Sequence, residues 1–429
     1  MNACRPTPRS LTPVLGGLLA GGLLLAAGPA AAAKITIACG DGGAADFCPA
    51  LAERWAEQSG HEVDVVTTPQ SATEKLSLYQ QLLGSESGDI DVLMTDTVWP
   101  GLLAPHLVDL ADYLPPDATE GFFPAMIDNN TVDGRLVALP WFTDAGLLYY
   151  RVDLLEKHGH AVPETWQQLT DTAREIQAAE RAAGNERMHG FVFQGRAYEG
   201  LTCNALEWVA SHGGGTLVDA DGQVTLDNAG AAEALALAAS WPGEISPDGV
   251  LNYMEEEARG VFQAGNAVFM RNWPYVWSLA NEEGSEVAGK IGMAPLPHGP
   301  EGESVATLGG WSWAVSRYSE HPEVAADLVA FLTDPEQQKA HAIRFGRNPT
   351  RQALYQDPEV LEAQPFMGEL YDTLLGGVPR PASVTGEHYP RVSNAFFNGV
   401  HEVLAGDATA EEMLQRLEGE LNRLGRRGW

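Results

Sequence analysis

The stretch Glu62–Gly101, EVDVVTTPQSATEKLSLYQQLLGSESGDIDVLMTDTVWPG, contains a whole strand–helix–strand unit. Val63 to Thr67 is β-branched and reads as a strand. Ser71 with Glu74 spells a capping box for a helix through Leu83, on which Leu76, Tyr79 and Leu83 form an apolar stripe. Ile90 to Thr95 reads as a second, buried strand. Outward from this unit the alternation continues. Lys34 to Cys39 is a short apolar strand, and Ala50 to Ser59 an amphipathic helix that ends at Gly60. Downstream, Thr165 with Gln168 caps a helix reaching about Ala183, and Pro322–Leu332 and Glu411–Leu424 are amphipathic. Asp221-Gly222 between β-prone residues marks a hairpin turn. Such βαβ alternation predicts an α/β fold with mostly parallel sheets flanked by helices. With no repeat, low-complexity tract or flexible linker, two domains joined by several short crossings fit better than two independent beads.

The charge balance limits the partners. Of 429 residues, 26 are Lys or Arg and 58 are Asp or Glu, a formal net charge of −32. A surface of that sign repels nucleic-acid phosphates and anionic lipid headgroups. The N-terminus has the order of a secretory signal peptide over residues 1–33: basic Arg5 and Arg9, apolar Leu11 to Ala30, then Ala31-Ala32-Ala33. An uncleaved anchor is the competing reading, disfavoured by Pro13, Pro29 and the alanine run. Cleavage removes two arginines and no acid, moving the charge from −32 to −34. Cys39 and Cys48 flank the Gly/Asp-rich turn Gly40–Gly43, near enough to be bridged in an oxidising compartment. Their spacing is wrong for zinc, the turn lacks both phosphate-loop patterns, and Asp219 with Asp221 lacks the further ligands of a calcium loop. Cys203 is left over and reads as a buried free thiol.

Eleven tryptophans are many for this length, and several stand in loops beside Gly, Pro or polar residues. Trp99 follows Asp96, Phe142 precedes Asp144, Trp273-Pro274-Tyr275 follows Arg271-Asn272, and Gly310 precedes Trp311. Sugars present flat C–H faces ringed by hydroxyls, so a sugar site needs aromatic platforms together with carboxylate, amide and guanidinium groups. Trp277 and Trp313 stand where helix or strand packing accounts for them; Trp273 and Trp311 suit a site.

The ordered blocks SATEKLSLYQQLL, GDIDVLMTDTVWPG, PWFTDAGLLYYRVDLLEKHG, GRAYEGLTCNALEWVASHGGG, GVFQAGNAVFMRNWPYVW and LGGWSWAVSRYSEHPEVAADLVAFL cover essentially the whole chain after the signal. Together they resemble the trehalose/maltose-binding branch of the extracellular solute-binding proteins of ABC sugar importers. The resemblance implies a two-lobe periplasmic-binding-protein fold of the type II kind, with ligand in an interlobe cleft. It implies hinge crossings near Trp141–Gly146, Thr307–Trp311 and Gly346–Thr350, an N-terminal lobe of residues 34–143 plus 311–347, and a C-terminal lobe of 144–310 plus 348–429. It also implies periplasmic location, a membrane permease as partner, a monomer, and no cofactor, metal or catalysis.

Residue by residue, the resemblance makes Asp96 and Asp144 acceptors for sugar hydroxyls, with Phe142 at a neighbouring aromatic position. Trp273 and Tyr275 match the stacking platform, Gly310 and Trp311 a backbone contact and second aromatic wall, and Arg380 a guanidinium reaching the ligand. Gln70, Ser71 and Lys75 stand where polar contacts vary. In the first loop relatives carry an acid for one sugar ring, whereas this chain offers Ala44, Ala45 and then Asp46. The expected cargo is a disaccharide such as trehalose, maltose or sucrose. A binding protein for another glycoside or polyol, such as glucosylglycerol, is the alternative. A secreted glycoside hydrolase using Asp96 and Asp144 is a third reading, and their loops carry no other catalytic signature.

Overall fold

The sheet that carries the N-terminal residues begins as expected: β1 (Lys34–Cys39), α1 (Phe47–Ser59), β2 (Glu62–Thr67), α2 (Ala72–Gly84) and β3 (Val92–Asp96) follow in turn. The computed structural model describes Met1 and residues 32–40, 47–368, 373 and 376–429. Asp46 and the signal stretch, except Met1, Ala32 and Ala33, lie outside those residues, and all that follows concerns the unit Ala33–Trp429. β1 pairs in parallel with β2 and with β3, so Ile37 stands opposite both Val65 and Val92. The Ser71 hydroxyl accepts the Glu74 N–H and caps α2.

The chain continues through β4 (Leu139–Ala145), β5 (Leu147–Arg151), α3 (Trp166–Ala182), β6 (His189–Val192), α4 (Glu199–Ser211) and α5 (Glu255–Gln263). Then come β7 (Ala267–Asn272), β8 (Ile291–Ala294), β9 (Leu308–Val315), α6 (Pro322–Leu332), α7 (Pro335–Phe345), β10 (Asn348–Pro349), α8 (Tyr389–Ala405) and α9 (Ala410–Leu424). Thr165 and Gln168 form the full reciprocal capping box at α3, and the Asp221-Gly222 turn closes a single bridge between Val218 and Val224.

Two large sheets result, one six-stranded in the order β10-β4-β9-β3-β1-β2 and one four-stranded in the order β8-β5-β7-β6, beside a two-stranded ribbon of Thr131–Val132 and Arg135–Leu136. They are mixed, which corrects the expectation of mostly parallel sheets. Only β1–β2, β1–β3 and β6–β7 run parallel among the paired strands described. β9, arriving from the second sheet, returns antiparallel between β3 and β4, and β10, which follows β9 by way of α6 and α7, runs antiparallel against β4. The three segments expected to cross between lobes are therefore neighbours, with β4 in the middle.

Each sheet carries its own core. Trp313, Trp141, Val92 and Ile37 are buried with α1 and α6 on the first sheet. On the second, Trp208, Trp241, Phe191 and Phe193 pack edge to face, with Trp166 tilted against Phe191 and Trp241. Trp313 is thus core, as its strand position suggests; Trp277 is half-buried against Phe366. Cys203 is a buried free thiol, and Cys39 is disulfide-bonded to Cys48. Burial pushes the Cys203 thiol up to about 12, which leaves it unreactive at neutral pH. Replacing Cys39 and Cys48 together by Ser should lower stability by roughly 2.5–3 kcal/mol through lost loop closure. An unchanged urea midpoint, measured under non-reducing conditions, would refute this.

Candidate functional site

Strand register assembles one wall of the site. On β9, Trp311 stands opposite Asp96 of β3 on one side and Phe142 of β4 on the other. Directly opposed residues share a sheet face, so carboxylate, indole and phenyl ring line up in a row. Gly309, opposite Asp144, leaves space: a Cβ there would lie 3.2 Å from the ring of Trp273. Gly310 has φ +133°, and a Cβ on it would come within 2.6 Å of the Phe142 carbonyl oxygen. Only glycine fits there without the chain shifting.

The facing wall is built from β7 and α5. β7 ends at Asn272, whose Oδ1 accepts the Trp273 N–H at 2.9 Å. The Arg271 guanidinium lies 3.9 Å from the Trp273 ring centroid and forms a wholly buried ion pair with Glu207. The Trp273 Nε1–H points to Glu255 Oε1 at 3.3 Å, while Tyr198 donates to the other oxygen of Glu255 at 2.7 Å. Tyr275 donates to Glu256 at 2.6 Å. Burial raises the carboxyls of Glu199, Glu207 and Glu255 above the usual range.

Between the walls, Arg380 donates to Asp96 Oδ1 and to Glu199 Oε1, each at 2.8 Å. Glu199 also accepts from Tyr389 and Ser393. Two further contacts join α2 to the start of α4 and the segment before it: Arg196 with Glu74 at 2.8 Å, and the Glu199 N–H with Thr73 Oγ1 at 3.1 Å. The cavity between the walls is lined by Gln70, Lys75, Asp96, Phe142, Asp144, Trp273, Tyr275, Gly310, Trp311 and Arg380, all singled out in the sequence. Lys75 lies 4.2 Å above the Trp311 ring. Ser71 does not line the cavity, since its hydroxyl is engaged as the cap of α2. Tyr198, Glu199, Glu255, Glu256 and Arg347 line it and were not found in the sequence.

Asp144 is the acceptor with room for a partner. It is 5% exposed, its Oδ1 has no hydrogen-bond partner among the described residues, and Arg347 approaches Oδ2 only to 3.6 Å. Burial raises its carboxyl to about 7, with Arg347 and Arg271 pulling the other way.

A cleft between two sheets, floored by adjacent crossing strands and walled by aromatic rings and buried charges, defines a two-lobed binding protein. The chain belongs to the bacterial extracellular solute-binding proteins, whose family profile matches residues 43–339. Within that family it is a solute-binding protein of the ABC sugar-importer kind. A probable ABC transporter-binding protein of Deinococcus radiodurans is 49% identical over 406 residues, covering 94% of this chain and 96% of the relative. The structure of T. maritima MalE3 with maltose bound is 43% identical, with a TM-score of 0.86, covering 92% of this chain and all of that one. The maltodextrin-binding protein MdxE of Bacillus subtilis is 29% identical over 235 residues, 53% of this chain and 52% of the relative. Among the described residues no helix is long and apolar enough to cross a membrane.

The raised Asp144 carboxyl carries a pH signature. An acid held above its ordinary value in the folded state adds stability that is complete below about pH 4 and lost as pH rises through about 7. Asp144→Asn removes the charged form. The variant should therefore be more stable than wild type at pH 8, by an amount on the order of a few kcal/mol, and unfold at a correspondingly higher temperature. The gap should close toward pH 4; thermal scans showing a gap that is constant with pH would count against it.

Proposed function

We propose that this protein captures an α-linked disaccharide of the maltose, trehalose or sucrose type and delivers it to the permease of an ABC importer. It does so as an exported monomer without catalysis. The observation that carries the reading is the row Asp96–Trp311–Phe142 facing Trp273, with the open acceptor Asp144 between them. Two aromatic walls with carboxylates at their edges suit the apolar faces and hydroxyl rims of a sugar. Maltose bound to a relative 43% identical supports an α-glucoside cargo.

In this reading residues 1–33 are removed on export, and the lobes comprise 34–143 with 311–347 and 144–310 with 348–429. The crossings let the lobes move, and a sugar touching both walls favours the closed arrangement. Asp96, Asp144 and Arg380 supply charged hydrogen bonds, Trp273, Tyr275, Trp311 and Phe142 the ring faces, and Gly310 a backbone contact. Gln70 and Lys75 add polar contacts, with Ser71 fixing the helix that carries Lys75. Asp46 stands for the relatives' first-loop acid.

Calorimetry of residues 34–429 with maltose, trehalose and sucrose tests this. At least one should bind, and Trp273→Ala should weaken that binding about thirtyfold or more, as loss of a buried aromatic anchor does. No heat with any of the three sinks the disaccharide reading. An unchanged affinity in the Trp273→Ala protein sinks the platform.

A further inference from the structure

Arg347 enters the cavity from an unexpected quarter. α7 ends at Gly346 in the left-handed conformation, φ +64°, and the chain then pairs with β4 from Asn348. That turn sends the side chain between the two walls, where it is 6% exposed. Its guanidinium lies 4.5 Å from the Phe142 ring centroid and 4.4 Å from that of Tyr275. Held between rings from both walls, its plane has little freedom to turn.

The hydrogen bonds this group does not make are the informative part. Its Nε has no partner among the described residues, and neither has Asp144 Oδ1. The approach of Nη1 to Asp144 Oδ2 at 3.6 Å is an attraction between charges, too long for a hydrogen bond. The two therefore stand side by side as a buried donor and a buried acceptor with unused capacity, an arrangement that is unfavourable until something satisfies both. A carboxylate or phosphate would satisfy Arg347 and be repelled by Asp144; an ammonium group would do the reverse. A hydroxyl both donates and accepts, so neighbouring hydroxyls meet both demands, one accepting from Arg347 and the next donating to Asp144.

We infer that Arg347 and Asp144 together clamp a vicinal pair of hydroxyls on the bound sugar, with Arg347 the specificity-determining member. This rests on the sugar-binding reading and sharpens it: the cargo must present a neutral diol at this end of the cleft, and a sugar deoxygenated there is rejected. Lysine cannot replace arginine, because it keeps the charge and lacks the planar fork that the two rings hold in place.

The test compares wild type, Arg347→Lys and Arg347→Met by calorimetry with maltose, trehalose and sucrose. It then uses monodeoxy analogues of whichever sugar wild type binds. Both variants should bind roughly ten- to hundredfold more weakly, the loss expected for a charged hydrogen bond. Wild type should reject analogues lacking either of two adjacent hydroxyls, and Arg347→Met should show a reduced penalty for the same analogues, the non-additivity of groups in contact. Wild type binding none of the sugars overturns the cargo reading and the clamp with it. Wild type binding one while Arg347→Lys binds it equally well overturns the clamp alone. Should Arg347→Met fail to fold, the analogues on wild type still decide: penalties at no pair of adjacent positions overturn the clamp.

Discussion

The ion pair of Arg271 with Glu207 is where the binding wall and the crossing strands meet. Both side chains are fully buried, and removing two charges from water is favourable only when geometry and further hydrogen bonds are good. Here they are. Glu207 takes two bonds from Arg271 and one from the Thr307 N–H, and Gln194 accepts from Arg271 Nη1 at 3.1 Å and returns a bond to the Arg271 carbonyl. The pair touches two crossings. Thr307 leads into β9, and Gly146 joins β4 to β5 so close above the pair that a Cβ there would lie 2.1 Å from Glu207 Oε1. On its outer side Arg271 supports the ring of Trp273. A shift of the pair would therefore move platform and crossings together.

A second constraint is the set of charges that meet across the cavity. Arg380 joins Asp96 at the end of β3 to Glu199 at the start of α4, and Arg196 joins Glu74 of α2. The Asp96–Arg380–Glu199 chain is buried while the Arg196–Glu74 pair is exposed, so the two differ in weight. The exposed pair contributes about 0–1 kcal/mol and is screened by salt. The buried chain is costly to break, because parting the walls would leave a guanidinium and two carboxylates to be rehydrated.

How much of this was legible depends on whether the signal was local. Strands with β-branched runs and helices with capping boxes announce themselves within a few residues, which is why β1 to β3, α2, α3 and α6 fall where the pattern puts them. Asp96, Trp273 and Trp311 stood out because Gly and Pro lie close to them in the sequence, although Asp96 and Trp311 fold as strand residues. The antiparallel directions of β9 and β10 left no local mark, since the sense in which a strand enters a sheet is set by the path of the intervening chain and not by the strand's own residues. Glu199 and Glu255 sit in the first turns of helices, where acids are unremarkable. Arg347 lies in a short connection with no hydrophobic period. Ser71 lies outside the cavity lining, its hydroxyl oxygen accepting the Glu74 N–H at the start of α2.

The acids of the cleft mostly hold other side chains of the protein. Five carboxylates line the cavity among the described residues: Asp96, Asp144, Glu199, Glu255 and Glu256. Four of them already accept bonds from the protein. Asp96 and Glu199 hold Arg380, Glu255 holds Tyr198 and Trp273, and Glu256 holds Tyr275 and Arg259. Charge-assisted bonds of this kind are short and directional, so their first effect is to fix ring planes and one guanidinium before any solute arrives. An aromatic platform gains from such fixing, because ordering a loose side chain on binding would subtract from affinity. The acidity of the cavity is thus mainly scaffolding for its apolar faces, and the acceptor capacity left open is concentrated on Asp144.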